Sequence, residues 1–214
     1  KPQGGQRTII LHGAPAPQAV GGPGSVLLWL SDATEGQHAL AQARAERDEA
    51  LAAFAFDGTF TEGGSVGLWA SQGNLLDDFR ADPTGKSLVV DLTFIDEFPQ
   101  DDGSPLANTW RERAGAFQVQ GEQAVTLGAA NLAVLRNIDL GDAIVAADVA
   151  LNAVGSHFAG VVARHTDAGM YWGGLYRIAG QVHARIYRSD DGVWTMLSSQ
   201  MVGVSAAALR FEVQ

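Results

Sequence analysis

Acid and nucleophile work on a glycoside needs two carboxylates a few Å apart, and alternate positions of one strand are one way to place them so, because successive strand side chains point to opposite faces. Asp96-Glu97 and Asp77-Asp78 are adjacent, so each pair diverges. Glu46, Asp48 and Glu49 fall in a stretch that reads as the solvated side of a helix. The chain has 0 Cys, which removes thiolate metal sites and cysteine nucleophiles together, and its 5 His form no H-x-x-x-H pair for zinc. These absences predict a protein that is not an enzyme. Oxygen ligands remain. Asp101-Asp102-Gly103-Ser104 and Ser189-Asp190-Asp191-Gly192 make Asp101, Asp102, Asp190 and Asp191 candidate ligands for Ca²⁺, the one cofactor the sequence leaves open. Neither run has the D-x-[DN]-x-[DN]-G spacing, and Asp-Gly is turn chemistry first.

Recognition without catalysis needs flat apolar faces for sugar C–H groups and polar forks for hydroxyls. Tyr171, Trp172, Tyr176, Tyr187 and Trp194 lie close in sequence to Arg164, His165, His183, Arg185 and Arg188, on what should be neighbouring strands and loops. One reading is a sugar-binding face made of Arg164, Tyr171, Trp172, Tyr176, Arg185, Tyr187 and Trp194. The other is that these aromatics are core or edge cover and the arginines surface ion pairs. Both stay open on the residues alone.

The elements that must position them read as β. With 14 basic and 24 acidic residues the net charge is −10, a repulsive field for phosphate that argues against nucleic acid as a partner. Hydrophobic residues make up 46% and charged ones 18%, enough apolar content for a packed core. No apolar run approaches the roughly 20 residues of a membrane span. Gly and Pro crowd residues 1–24, which read as an extended segment; Ser25 to Leu30 reads as a strand, and Glu35 to Phe54 as one amphipathic, Ala-rich helix. Alternating runs then recur with turn signals every roughly eight to twelve residues, the spacing of a sandwich or barrel. In Gln181 to Arg188, Val182, Ala184 and Ile186 should face a core while His183, Arg185 and Tyr187 face away. Ala143 to Leu151 is apolar on both faces except at Asp148, as in a strand covered above and below. The chain starts at Lys1 without Met, as expected of a processed protein or a window of a longer one.

From Asp91 onward an ordered series of segments resembles the concanavalin A-like lectin and glucanase (laminin-G-like) domain of bacterial surface proteins. It comprises Phe94-Ile95-Asp96-Glu97-Phe98, Asn108-Thr109-Trp110 with Gly115-Ala116-Phe117-Gln118-Val119, Ala143 to Val149, Phe158 to His165, Asp167 to Trp172, Asp190 to Thr195 and Leu209 to Val213. The resemblance implies a jelly-roll β-sandwich, with the helix as an insertion, and an extracellular or cell-surface location. The alternate-carboxylate signature of its glucanases is absent.

The closing strands of that pattern do not follow Val213. They resemble instead Phe56 to Ala70 and Leu76-Asp77-Asp78-Phe79, so the order is rotated. The expected organisation is a Gly/Pro-rich segment over 1–24, closing strands with the helical insertion over 25–82, a joint over 83–90 and the main sandwich over 91–214, open at its C-terminal edge. A window of a multi-unit chain, a circular permutation and completion by a neighbouring copy would each produce it. In the last case Leu209, Phe211 and Val213 would form an assembly edge, since an unpaired strand recruits a donor. The expected function is a non-catalytic structural or assembly module of a bacterial surface or matrix protein, with itself as partner and filament formation as the open-ended case. The alternatives are a carbohydrate-binding adhesion module with glycan partners and an atypical glycoside hydrolase.

Overall fold

Alternating runs cut by short turns favour strands, and in the computed structural model every regular element among the described residues is β. The structure describes residues 9–10, 25–30, 50–55, 57, 59–60, 62–83 and 93–213. In chain order the strands are β1 (Ile9–Ile10), β2 (Ser25–Leu30), β3 (Ala50–Ala55), β4 (Ser65–Ala70), β5 (Leu75–Pro83) and β6 (Phe94–Asp96). Then come β7 (Trp110–Ala114), β8 (Phe117–Val119), β9 (Ala124–Thr126), β10 (Asn131–Leu135) and β11 (Ala143–Ala150). The last five are β12 (His157–His165), β13 (Gly169–Ile178), β14 (Gln181–Asp190), β15 (Val193–Met201) and β16 (Ala206–Val213).

They form two sheets of a β-sandwich. A seven-stranded antiparallel sheet has the order β15-β14-β13-β12-β4-β10-β7. A nine-stranded sheet has the order β1-β2-β16-β11-β5-β9-β8, with β3 also on β2 and β6 on β5; it is antiparallel except where β2 runs parallel to β16 and β3. The strands of 65–83 take central places: β4 lies between β12 and β10, and β5 between β11 and β9. Between the sheets, Ala143, Val145, Ala147 and Val149 of β11 share one core with Val66 and Leu68 of β4, Val161 of β12 and Ile186 of β14. At one end Trp110 packs edge-on to Phe79 at 4.8 Å. Its indole N–H donates to the buried Asp96 carboxylate at 2.7 Å, and the Phe98 N–H donates to the same group at 2.9 Å. Asp96 is thus occupied in holding the core together.

Three expectations need correcting or placing. Of the helix expected over Glu35 to Phe54, residues 35–49 lie outside the described residues, while Ala50 to Phe54 belong to β3, paired residue for residue with β2. Strand pairing overrides the local helix preference of an Ala-rich stretch. Leu209, Phe211 and Val213 form no open edge: β16 pairs with β11 along its whole length and with β2 at Leu209 to Phe211, and all three side chains are buried. β11, expected to be covered on both faces, buries only alternate residues, because its other face is the half-exposed outside of the nine-stranded sheet.

Candidate functional site

The outer face of the seven-stranded sheet carries the aromatics. Alternation sets it: Ala159, Val161, Tyr171 and Leu175 enter the core, so Gly160, Val162, Trp172, Gly174 and Tyr176 face out. The pairings align one row across all seven strands, Arg111, Val134, Gly67, Val162, Trp172, Tyr187 and Met196. The next row places Trp69 beside Gly160, Gly174 and Arg185. Gly160 and Gly174 are obligatory, since a Cβ at Gly160 would fall 2.2 Å from the Gly173 carbonyl and one at Gly174 only 2.7 Å from the Trp172 ring.

The face is curled. Trp194 of β15 lies flat on Trp69 of β4, centroids 4.3 Å apart and planes within 2°. Four strand spacings of roughly 4.8 Å separate their backbones, so the rings meet only if the sheet bends around its outer face. Beneath the stack Trp172 is fully buried and donates its indole N–H to the Trp69 carbonyl at 3.2 Å. Phe158 and Tyr176 stack at 6.1 Å, and the Arg185 guanidinium lies 4.5 Å over the Tyr176 ring while donating to the Tyr187 hydroxyl at 2.9 Å. Trp194 is 37% exposed, the most accessible ring of the cluster.

Five of the seven residues expected at a sugar face, Trp172, Tyr176, Arg185, Tyr187 and Trp194, therefore share it, and two do not. Tyr171 points into the core, where its hydroxyl donates to Asp57 Oδ1 at 2.8 Å and accepts the Phe60 N–H; burial first, and then the Asp57 charge, raise its pKa. Arg164 is buried with a positive φ of 51°, donating to the Gly141 carbonyl at 2.8 Å, to the Phe60 carbonyl and to Asp142. Both anchor the end of the sandwich. Trp69 and Phe158 join the face although the sequence reading passed over them. The alternation of Val66-Gly67-Leu68-Trp69 puts Trp69 opposite a core face, but only the pairing of β4 with β12 brings that face to the aromatic cluster.

The four candidate Ca²⁺ ligands serve turns. Asp102 Oδ1 accepts the Gly121 N–H at 2.7 Å, the Asp101 carbonyl accepts the Ser104 N–H at 3.0 Å, and Asp191-Gly192, with φ of 46° and 79°, forms the two-residue hairpin after Asp190. Among the described residues no three His, Asp or Glu gather as a metal group. Gly63-Gly64-Ser65-Val66-Gly67 has G-x-S-x-G spacing, but Ser65 opens a strand rather than a strand-to-helix elbow, and its hydroxyl donates to the Ile138 carbonyl at 3.1 Å.

At the β7 side of the same sheet lies a cleft of about 470 Å³ lined by Arg111, Arg113, Arg136, Asp139, His165 and Asp167, among others. Arg113 pairs with the exposed Asp167, and Arg136 Nε donates to the Trp110 carbonyl at 2.7 Å. Burial, and then the Arg113 charge, hold the pKa of His165 below the usual histidine range. Compared with protein-family models, curated proteins and solved structures, the chain matches none.

Proposed function

We propose that this chain is a non-catalytic carbohydrate-binding module of jelly-roll, concanavalin A-like type, working at a cell surface or in an extracellular matrix. The observation that carries the reading is the Trp194–Trp69 stack, which presents a flat indole at the rim of a curled sheet face next to the Arg185–Tyr187 fork. Sugar rings bind by laying C–H groups on such a surface while polar forks take hydroxyls; Trp and Arg are also the side chains that most often dominate binding energy. Glycan-array screening followed by titration calorimetry tests it. Trp194→Ala should weaken binding by about tenfold or more, with little loss of thermal stability. Trp172→Ala should instead destabilise the fold by about 3–5 kcal/mol, the cost of emptying a buried Trp site. A blank array at high protein concentration, or unchanged affinity in Trp194→Ala, would overturn the reading.

A second reading, a structural module that assembles with copies of itself, is favoured by β15. Its nine residues carry no charge and no Pro, and Val193, Met196 and Met201 are each more than half exposed. Such an edge is a template for strand addition. This relocates assembly from Leu209, Phe211 and Val213 to the opposite sheet.

A further inference from the structure

The cleft beside β7 stands out against the charge of the chain. Only 14 of the 214 residues are Lys or Arg, against 24 Asp or Glu, yet three guanidiniums line this one space. Arg111, paired with the outward Val134, and Arg113, at the bulge where β7 shifts register against β10, both line it, and Arg136 follows the end of β10. Their partners do not neutralise all three. Arg113 has Asp167, Asp139 lies in the wall, and Arg136 bonds a neutral carbonyl; among the described residues Arg111 makes no hydrogen bond or ion pair. With His165 neutral, three positive and two negative groups leave the lining at +1 inside a chain of −10. Ser65, Asn137 and Thr166 add hydroxyl and amide groups to the same walls.

We propose that this cleft is an oxyanion subsite, in which Arg111 and Arg113 take the carboxylate or sulfate ester of an acidic saccharide. The identity of the carrier rests on the glycan reading above; the anion preference rests on the cleft itself. Guanidinium forks match such oxyanions with paired N–H donors. Arg111 begins the pairing row that runs through Trp172 and Tyr187, so the cleft and the aromatic cluster belong to one sheet face. Two strand spacings, roughly 10 Å, separate β7 from β4, whose Trp69 carries the accessible Trp194 ring, so a ligand using both ends is longer than a single sugar. The arrangement also supplies its own reporter. His165 faces Arg111, Arg113, Arg136, Asp139 and Asp167 in the cleft, and an anion that neutralises Arg113 should let its ring hold a proton to higher pH.

The test compares the intact protein with Arg111→Gln, a change at an exposed edge position, against a polyuronate, a sulfated polysaccharide and a neutral polysaccharide, with free glucuronate and inorganic sulfate as small probes. The expected result is tighter binding of one or both acidic polymers than of the neutral one. That preference should weaken with salt and fall roughly tenfold to a hundredfold in Arg111→Gln. Preference for the polyuronate assigns the carboxylate as the group read, and preference for the sulfated polymer assigns the sulfate. His165, followed by NMR, should titrate at higher pH with the acidic ligand bound, and not with the neutral one. Equal affinity for acidic and neutral polymers would overturn the subsite and leave the glycan reading standing. A His165 shift with glucuronate or sulfate but no polymer binding would uphold the anion preference and overturn the saccharide as carrier. No response of His165 to any anion would overturn the subsite whatever the polymers do.

Discussion

Asp57 shows how single residues close the end of this sandwich. Its carboxylate accepts the Thr59 N–H and the Tyr171 hydroxyl, each at 2.8 Å, and pairs with Arg188 from β14. Burial alone would raise its pKa, but the bonds from Thr59 and Tyr171 and the Arg188 charge together hold it below the usual carboxylate range. A carboxyl with a lowered folded pKa gives stability that is complete above its unfolded value, about 3.9, and lost as pH falls through the folded one. Asp57→Asn should therefore cost about 1–3 kcal/mol at pH 7, the scale of hydrogen bonds to a charged group. The deficit should shrink as the parent is acidified below about pH 4. Melting temperatures of both proteins across pH 2–7 check this, and a deficit constant with pH would show that the carboxylate charge contributes nothing. The same residues explain what sequence could and could not reveal of the site. Tyr171 and Trp172 are neighbours on one strand, so period-two alternation already forbade both from one face. Which of them faces out depends on which side holds the core, and that is set by strands distant in sequence: β12, the partner of β13, lies on β4, and Trp172 bonds the Trp69 carbonyl 103 positions earlier. Nothing in the local pattern marked Arg111 and Arg113, because the register shift of β7 against β10 and the approach of Arg136 and His165 are products of tertiary folding.

At the scale of elements, local alternation served where a strand has one wet face. β14 was legible in full: Val182, Ala184 and Ile186 are buried, and Tyr187 and Arg185 lie outside with Trp172 and Tyr176. It misled where small residues blur the pattern. Ala50 to Phe54 has helix-like composition, yet parallel pairing to β2 holds it as a strand, and nothing within such a short window announces a partner more than twenty residues earlier. In β11 the alanines hid a one-sided strand, and Asp148 on its outer side marks the exposed face. Asp148 stands directly opposite Asp77 of β5. Burial first, and then the charges of Asp78 and Asp77, raise its pKa. A carboxyl raised in the folded state favours folding when protonated, at low pH, and that contribution is lost as pH rises through its folded pKa. Asp148→Asn should therefore stabilise the protein at pH 7 by about 0.2–1 kcal/mol, the scale of a like-charge cross-strand pair, and bring no gain near pH 3. Denaturant titrations at both pH values would expose the opposite outcome, a loss at pH 7, which would mean that Asp148 acts as a needed acceptor.

For the whole molecule, chain order and charge bear on the same question of association. β4 and β5, early in the chain, sit at the centres of the two sheets among strands that come later, so every central position is filled from within one chain. The two ends of the seven-stranded sheet differ. β7 carries Arg111, Glu112 and Arg113, the charges that keep natural edges apart, whereas β15 has none over Val193 to Met201. Among the described residues β15 pairs only with β14. What opposes its pairing with a second copy is then the field of the whole chain, −10 on each molecule. That repulsion is long-range and screened by salt, with a Debye length of about 30 Å at 0.01 M and about 3 Å at 1 M, while backbone pairing and apolar burial are not weakened by it. The chain should accordingly be a 22.5 kDa monomer in dilute buffer and associate as salt rises. Gln200→Lys, which puts a charge on the exposed β15 edge, should keep it monomeric throughout. Light scattering over a salt series decides between this and its rivals. A mass constant to 1 M salt would show that β15 is not an association edge, whereas oligomers already present at low salt and indifferent to Gln200→Lys would place the contact on another surface.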